Sequence, residues 1–233
     1  MIVLEERVDV PIPGASHVLL PAEPEGLRTD VVGGALRQLP DVLALGASRG
    51  DTALEALWCV RRSGPRLLVV VEADDAVSAL ERAVRVRRDT PHAFIGALAQ
   101  RLVRRTCLDC ARPFVPNAAQ VRALGASVDA VASAGFRHGR GCSHCQETGY
   151  AGRIGLFELV VLDEDGDACL RRGEGLAAVR RSALRSGAMT LLEDGLVKAA
   201  RGLTTIEELL RVAPRSVPPR PLTELERLAE QEC

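Results

Sequence analysis

The chain has almost no lysine. Lys198 is the only one, and arginine supplies the rest of its 30 lysine and arginine side chains. A phosphate-cradling G-x-x-x-x-G-K-[ST] loop needs a lysine, and Lys198 sits in a GLVKAA stretch without that glycine pattern. Aromatic residues are scarce as well, at 3% of the chain, which is too few to stack a run of bases. Charge of one sign is not in excess, since the formal net charge is −1, so no global field draws the protein to nucleic acid. There is no apolar run of about 18 residues and no signal-peptide pattern. The expectation is an intracellular protein whose contact with a membrane, if any, is indirect.

What is present is enough for a packed core. The 233 residues are 47% hydrophobic and 26% charged, which suits one large or two small domains and excludes a disordered tail. The strongest local signal is a pair of C-x-x-C knuckles, Cys107-Leu108-Asp109-Cys110 and Cys142-Ser143-His144-Cys145. Two such knuckles can close four thiolates tetrahedrally around one Zn²⁺, because each places two sulfurs on one side of the ion. A pair of disulfides or four unrelated buried thiols are the plainer readings, and neither explains two knuckles of identical spacing. Four thiolates leave no open position, so the zinc is expected to be structural. The insert from Ala111 to Gly141 is 31 residues long and must carry structure of its own. His138 and His144 lie near the second knuckle and are read as surface or supporting groups. Cys59, Cys169 and Cys233 follow no pattern.

In chain order, Met1–Leu4 and His17–Leu20 read as strands, and Thr29 as the cap of a helix through Leu36. The short apolar runs Asp41–Leu45 and Leu67–Val71 read as buried parallel strands. Helices are expected at residues 51–62, from Asp74 or Asp75 to about Arg88, and from about Pro91 to Leu102. Alternation of strand and helix argues for a parallel sheet in an α/β layer. Arg153–Leu162 reads as a strand. Helices follow at about Asp163–Arg171, Leu176–Ser186, Met189–Arg201 and Thr205–Val212, the last with Thr204 and Thr205 ahead of Glu207 and Glu208, close to a capping box. Residues 213–221 read as a Pro-rich linker before an amphipathic helix, Leu222–Glu232. The arginines at 82, 85, 87, 88, 101, 104 and 105 read as a wet helical face, and nucleic acid is not an expected partner.

Three segments together resemble the secretion ATPases of the type II secretion and type IV pilus class. They are AQRLVRRTCLDC (Ala99–Cys110), GCSHCQETGYAGRIGLFELV (Gly141–Val160) and LLEDGLVKAARGLTTIEELLRV (Leu191–Val212). In the second, Glu147 replaces the first glycine of the family's G-T-G-Y-x-G-R. Against the family's Walker B region, R-Q-x-P-D matches Arg37, Gln38, Pro40 and Asp41, with Gly46 following. The family then continues G-E-x-R-D, where this chain reads Gly46, Ala47, Ser48, Arg49, Gly50. Glu72 stands at the position of the family's histidine motif. LEERVD, Leu4 to Asp9, is a loose version of its acidic motif, whose Glu5, Glu6 and Asp9 read as a solvated face in the absence of a phosphate partner. The P-loop that precedes this motif in the family is not written here.

The resemblance implies an α/β chain: a degenerate C-terminal half of a RecA-like P-loop ATPase domain lacking Walker A (residues 1–100), a Cys₄ zinc module (101–152), a mainly helical module (153–213), and a Pro-rich linker with a short helix (214–233). The expected metal ligands are Cys107, Cys110, Cys142 and Cys145. No catalytic residue is expected, and Arg49 is the one vestigial candidate for touching a nucleotide. The expected role is a non-catalytic assembly or regulatory subunit that does not hydrolyse ATP. Its expected partners are an intact hexameric ATPase, another copy of itself, or the inner-membrane platform protein, at the cytoplasmic base of the machine. Two competing readings are a fragment of a split ATPase whose P-loop domain is encoded separately, and a stand-alone zinc adaptor.

Overall fold

The computed structural model describes residues 1–21, 25–46, 64–86, 95–126 and 134–231. The expected helix at 51–62, together with Ala47, Ser48, Arg49, Gly50, Cys59 and Cys233, lies outside the described residues.

The N-terminal part is an α/β layer. Strands β1 (Ile2–Glu5) and β2 (Ser16–Leu19) come first, then helix α1 (Glu25–Arg37), then β3 (Val42–Leu45) and β4 (Arg66–Val69). They form one wholly parallel sheet in the order β2-β1-β3-β4. Ile2, Leu4, Leu43 and Leu45 pack with Leu20, Val32 and Ala35 of the chain around α1. The central strand is buried along Ile2, Val3 and Leu4, which is why it reads as an unbroken apolar run rather than an alternating one. Helix α1 begins at Glu25, earlier than the Thr29 cap suggested.

Helix α2 (Ala76–Val86) starts where Asp75 accepts a hydrogen bond from the Ser78 N–H at 2.8 Å. The next element differs from expectation. Gly96–Thr106 is not the end of a helix but an eleven-residue strand, β5. It pairs antiparallel with β8 (Tyr150–Val161), with Gly96 opposite Val161 and Arg104 opposite Arg153. The residues of β5 are good helix formers, so local preference points the wrong way. Pairing with a partner about fifty residues further on overrides it. Gly96 fits because a Cβ there would lie 2.2 Å from the Val160 carbonyl oxygen. One face of this ribbon turns Val103, Leu156 and Val160 into the core, while Leu98, Leu102, Phe157, Leu159 and Val161 on the other are exposed.

Between the two ribbon strands lie β6 (Ala111–Pro113), α3 (Ala118–Ala123) and β7 (Arg137–Gly139). After β8 come α4 (Glu164–Arg172), α5 (Leu176–Arg185), α6 (Leu191–Ala200), α7 (Ile206–Val212) and α8 (Leu222–Gln231). Asp163 caps α4 through the Gly166 N–H at 2.7 Å. Thr190 and Glu193 form a complete capping box at the start of α6. Val103 and Leu156 of the ribbon join Leu192, Leu196, Ile206 and Leu209 in the largest core cluster.

The chain after Val212 is part of this core rather than a free tether. Ala213, Leu222 and Leu225 are buried in it. Arg220 fixes the register. Its backbone N–H and Nε donate to Glu193 Oε1 at 3.0 and 2.9 Å, and its Nη2 donates to Glu193 Oε2 at 2.9 Å and to the Ala188 carbonyl at 2.7 Å. The Glu193 side chain is 1% exposed, so Arg220→Ala leaves a buried carboxylate without its cation. The expected loss is about 3 kcal/mol in urea unfolding. A loss below about 1 kcal/mol would show that the tail is not pinned through this pair.

Candidate metal centre

The long insert brings the two knuckles together by folding back on itself. Ala111 of β6 pairs with Gly139 of β7, and the Arg140 N–H donates to the Cys110 carbonyl at 3.2 Å. The Cys107 N–H donates to the Gly149 carbonyl at 2.9 Å, which ties the first knuckle to the turn after the second. The glycines at these crossings are required by space. A Cβ on Gly139 would sit 2.1 Å from the Gly149 carbonyl oxygen. Gly149 and Gly152 have φ of +77° and +76°, the left-handed region that glycine enters without steric cost. Glu147 occupies the same region at φ +60°, where the family pattern has glycine. A side chain there costs roughly 1–2 kcal/mol.

The four sulfurs of Cys107, Cys110, Cys142 and Cys145 lie within 4.8 Å of one another. The Cys107–Cys142 and Cys110–Cys145 separations are 3.8 Å, and Cys142–Cys145 is 3.6 Å. A tetrahedron of sulfurs at about 2.3 Å from a central ion has edges of roughly 3.8 Å. A disulfide would bring two sulfurs to about 2.05 Å. The donor set and its dimensions therefore fit a tetrahedral thiolate site. Cys107, Cys110 and Cys145 are buried, and backbone N–H groups of Cys142 and Gly149 each donate to Cys145 Sγ at 3.2 Å. Burial pushes the Cys145 thiol up, but these two N–H bonds, together with the hydrogen bonds from Cys142 and Cys110, outweigh it and bring it down to about 6. His144 is exposed, 3.7 Å from Asp109, and His138 packs against the Phe114 ring. Neither histidine joins the sulfurs. Cys169 lies apart in the α4 core.

A second set of contacts, which sequence reading missed, braces this module against the C-terminal helices. Glu208 of α7 accepts from the Arg104 backbone N–H at 2.9 Å, from Arg104 Nε at 2.9 Å and Nη2 at 2.6 Å, and from Arg211 Nε at 3.0 Å and Nη2 at 2.8 Å. The Arg104 guanidinium also stacks over the Tyr150 ring at 4.0 Å. The Tyr150 and Thr205 hydroxyls are 2.8 Å apart. Thr205 does cap α7, but the Glu208 side chain reaches β5 instead of turning back to complete a box. The local T-T-x-E-E pattern announced a cap; the partner a hundred residues away had no local signature.

Of the residues matched to the family's nucleotide machinery, Glu5 and Asp9 have partners within the chain. Arg49 lies outside the described residues. Glu5 Oε1 is 2.5 Å from His17 Nδ1, while His17 Nε2 accepts the Ile12 N–H at 2.9 Å. Asp9 pairs with Arg7 at 2.6 Å. Lys198 donates to the Gly155 carbonyl at 2.9 Å and pairs with Asp194 at 2.5 Å, its Nζ 5.0 Å from the centre of the Phe157 ring. Among the described residues, no helix is long and apolar enough to cross a membrane.

The fold is that of the RecA-like secretion and pilus motors. The crystal structure of the pilus retraction motor PilT with bound ADP superposes with a TM-score of 0.61 at 18% identity, covering 97% of this chain and 54% of that one. The Legionella pneumophila ATPase DotB superposes at 0.57 and 16% identity, covering 89% and 49%. At sequence level, residues 1–211 match the family model described as Type II/IV secretion system protein, and the chain belongs to that family. It is 31% identical to the type IV pilus assembly ATPase PilB of Thermus thermophilus over 89% of this chain and 24% of that one. Against type II secretion system protein E of Pseudomonas aeruginosa the identity is 34%, over 76% of this chain and 35% of the other. The chain thus spans about a quarter to a third of these two relatives' length.

The Glu208 brace gives a pH dependence. Burial pushes the Glu208 carboxyl up, but the bonds from Arg211 and Arg104 outweigh it and hold it at about 2, below the ordinary 4.5. A depressed carboxylate stabilises the fold fully above its unfolded value and loses that contribution as pH falls through the folded one. Glu208→Gln should therefore cost roughly 3 kcal/mol at pH 7. The gap to the parent should close between about pH 5 and pH 2 in chemical unfolding. A gap that stays constant with pH would contradict the assignment.

Proposed function

We propose that this chain is a non-catalytic member of the type II/IV secretion system family, acting as a zinc-stabilised assembly or regulatory subunit. The observation that carries the reading is the fate of its only lysine. Phosphoryl transfer is mostly positioning and charge stabilisation around the phosphates. In these 233 residues no stretch reads G-x-x-x-x-G-K-[ST], and Lys198 is committed to Gly155 and Asp194. Ala47 replaces the glutamate that polarises water in the family pattern, and Glu72 replaces the histidine. The acidic motif points the same way, since His17 holds Glu5 and Arg7 holds Asp9. The partners we assign are an intact ATPase ring of the same machine, further copies of this chain, and the inner-membrane platform, met from the cytoplasmic side. Because the chain spans only part of its relatives, a second reading has it working with a P-loop domain carried on another polypeptide.

In this reading Cys107, Cys110, Cys142 and Cys145 hold Zn²⁺. The ion would supply a closed, non-catalytic crosslink between the two ends of the insert. The protein residues do the rest: the Gly139–Gly149 approach sets the sulfur spacing, and the Arg104–Glu208 brace fixes the module against α7.

Protein purified from a reducing host should contain about one zinc per chain by elemental analysis. Cys142→Ser should unfold the 107–150 region, because a structural thiolate site contributes on the order of 10 kcal/mol. Metal-free protein with an unchanged melting curve would remove the zinc from the reading. The enzymatic part is tested by Mg·ATP turnover of the purified chain, alone and mixed with an intact ATPase from the same genome. No turnover alone, with a changed rate for the partner, is the expected result. Turnover by the chain alone would overturn the non-catalytic assignment, and turnover only with an inactive P-loop domain added would favour the split arrangement.

A further inference from the structure

A cavity of about 790 Å³ opens between α2, β5, α5, α7 and the segment that follows α7. Five arginines line it: Arg101, Arg180, Arg181, Arg211 and Arg215. Two of them have carboxylate partners. Arg180 Nη2 donates to Asp75 Oδ2 at 2.7 Å, and Arg211 is held by Glu208. The other three have none within ion-pair distance among the described residues. Arg101 donates only to carbonyls, those of Gln100, Ala73 and Asp74. Arg215 donates to the Ala123 carbonyl at 3.3 Å. Arg181 lies near Glu174, but that carboxylate is taken by Arg172 at 2.5 Å.

The lining carboxylates do not cancel this charge. Asp75 already accepts from the Ser78 N–H and hydroxyl, from Arg180 and from the Ser216 hydroxyl. Asp74 alone is left to set against three guanidinium groups. Carbonyl contacts orient a guanidinium without neutralising it, and each of the three keeps spare N–H donors in a planar fork that suits phosphoryl oxygens. Leu176, Leu184 and Leu210 add apolar wall, and the volume is in the range of small-molecule sites.

We infer that this cavity is a binding site for a small organic phosphate carrying at least two phosphoryl charges, gripped by Arg101, Arg181 and Arg215. Part of the site lies beyond the region matched by the family model. The family match ends at residue 211, whereas Arg215, Ser216 and Val217 form one wall. A ligand there would join β5, α5 and the C-terminal segment through one set of charges. The inference is independent of whether the chain turns over ATP.

The test uses fructose 1,6-bisphosphate as a plain bisphosphate probe, added to the purified 233-residue chain and followed by amide NMR shifts and calorimetry. Saturable one-to-one binding below about 10 mM is expected, with shifts centred on residues 176–184 and 210–217. Arg181 and Arg215 are exposed, so Arg181→Ala and Arg215→Ala should leave the fold intact by circular dichroism, and each should weaken binding about tenfold or more. Sodium sulfate at matched ionic strength controls for screening. Absence of saturation up to about 10 mM, or binding unchanged in both variants, overturns the inference. Tighter binding of a tri-glutamate peptide than of the bisphosphate also overturns it, and reassigns the cavity to an acidic protein segment.

Discussion

The antiparallel pairing of β5 with β8 is the constraint on which the rest of the structure depends. The two strands run eleven and twelve residues side by side. At one end the ribbon delivers Cys107 and the Cys145–Tyr150 turn to the same place. Further along, Glu158 on β8 accepts N–H bonds from both Ala76 and Leu191, the first residues of α2 and α6, at 3.2 and 3.1 Å. Each of these contacts is useful only where the ladder's register places it. A slip of one residue would turn Glu158 and Val160 outward and bring Phe157 and Leu159 into the core.

Where the chain is locally consistent, its sequence is readable. The four parallel strands announce themselves as short apolar runs, and the C-terminal helices by their caps and periodicity. The knuckles are legible because two C-x-x-C spacings of the same length stand out in any sequence, and their four sulfurs lie within 4.8 Å of one another. The ribbon's first strand was hidden for the opposite reason. Gly96–Thr106 is built largely from Ala, Leu, Gln and Arg, residues that favour helix in isolation, and its partner lies beyond a 31-residue insert. Glu208 and Glu193 were obscured in the same way. Each looks like one half of a local capping pair, yet each spends its strongest bonds on an arginine far away or across a proline-rich turn.

The chain belongs to the Type II/IV secretion system family and shares its fold with about half of the PilT chain, and a fold by itself does not fix an activity. In the acidic motif Glu5 is held by His17 and Asp9 by Arg7, and the chain's one lysine, Lys198, which lies outside that motif, is held by Asp194. Arginine has meanwhile become the chain's near-exclusive cation. Its fixed fork and permanent charge suit the long-range braces seen at Arg104, Arg180 and Arg220, where one head group must meet several acceptors at once.

Glu193 also has a dynamic meaning. One carboxylate completes the cap of α6 through the Thr190 N–H at 3.0 Å and anchors the C-terminal segment through Arg220. Fraying of the helix start and release of the tail thus draw on the same acceptor. Opening either one strips the other of its partner in a buried setting, so the two behave as a single cooperative unit rather than as a helix end and a loose appendage. Amide exchange in the first turn of α6 and at Arg220 is accordingly expected to change together when this one pair is broken.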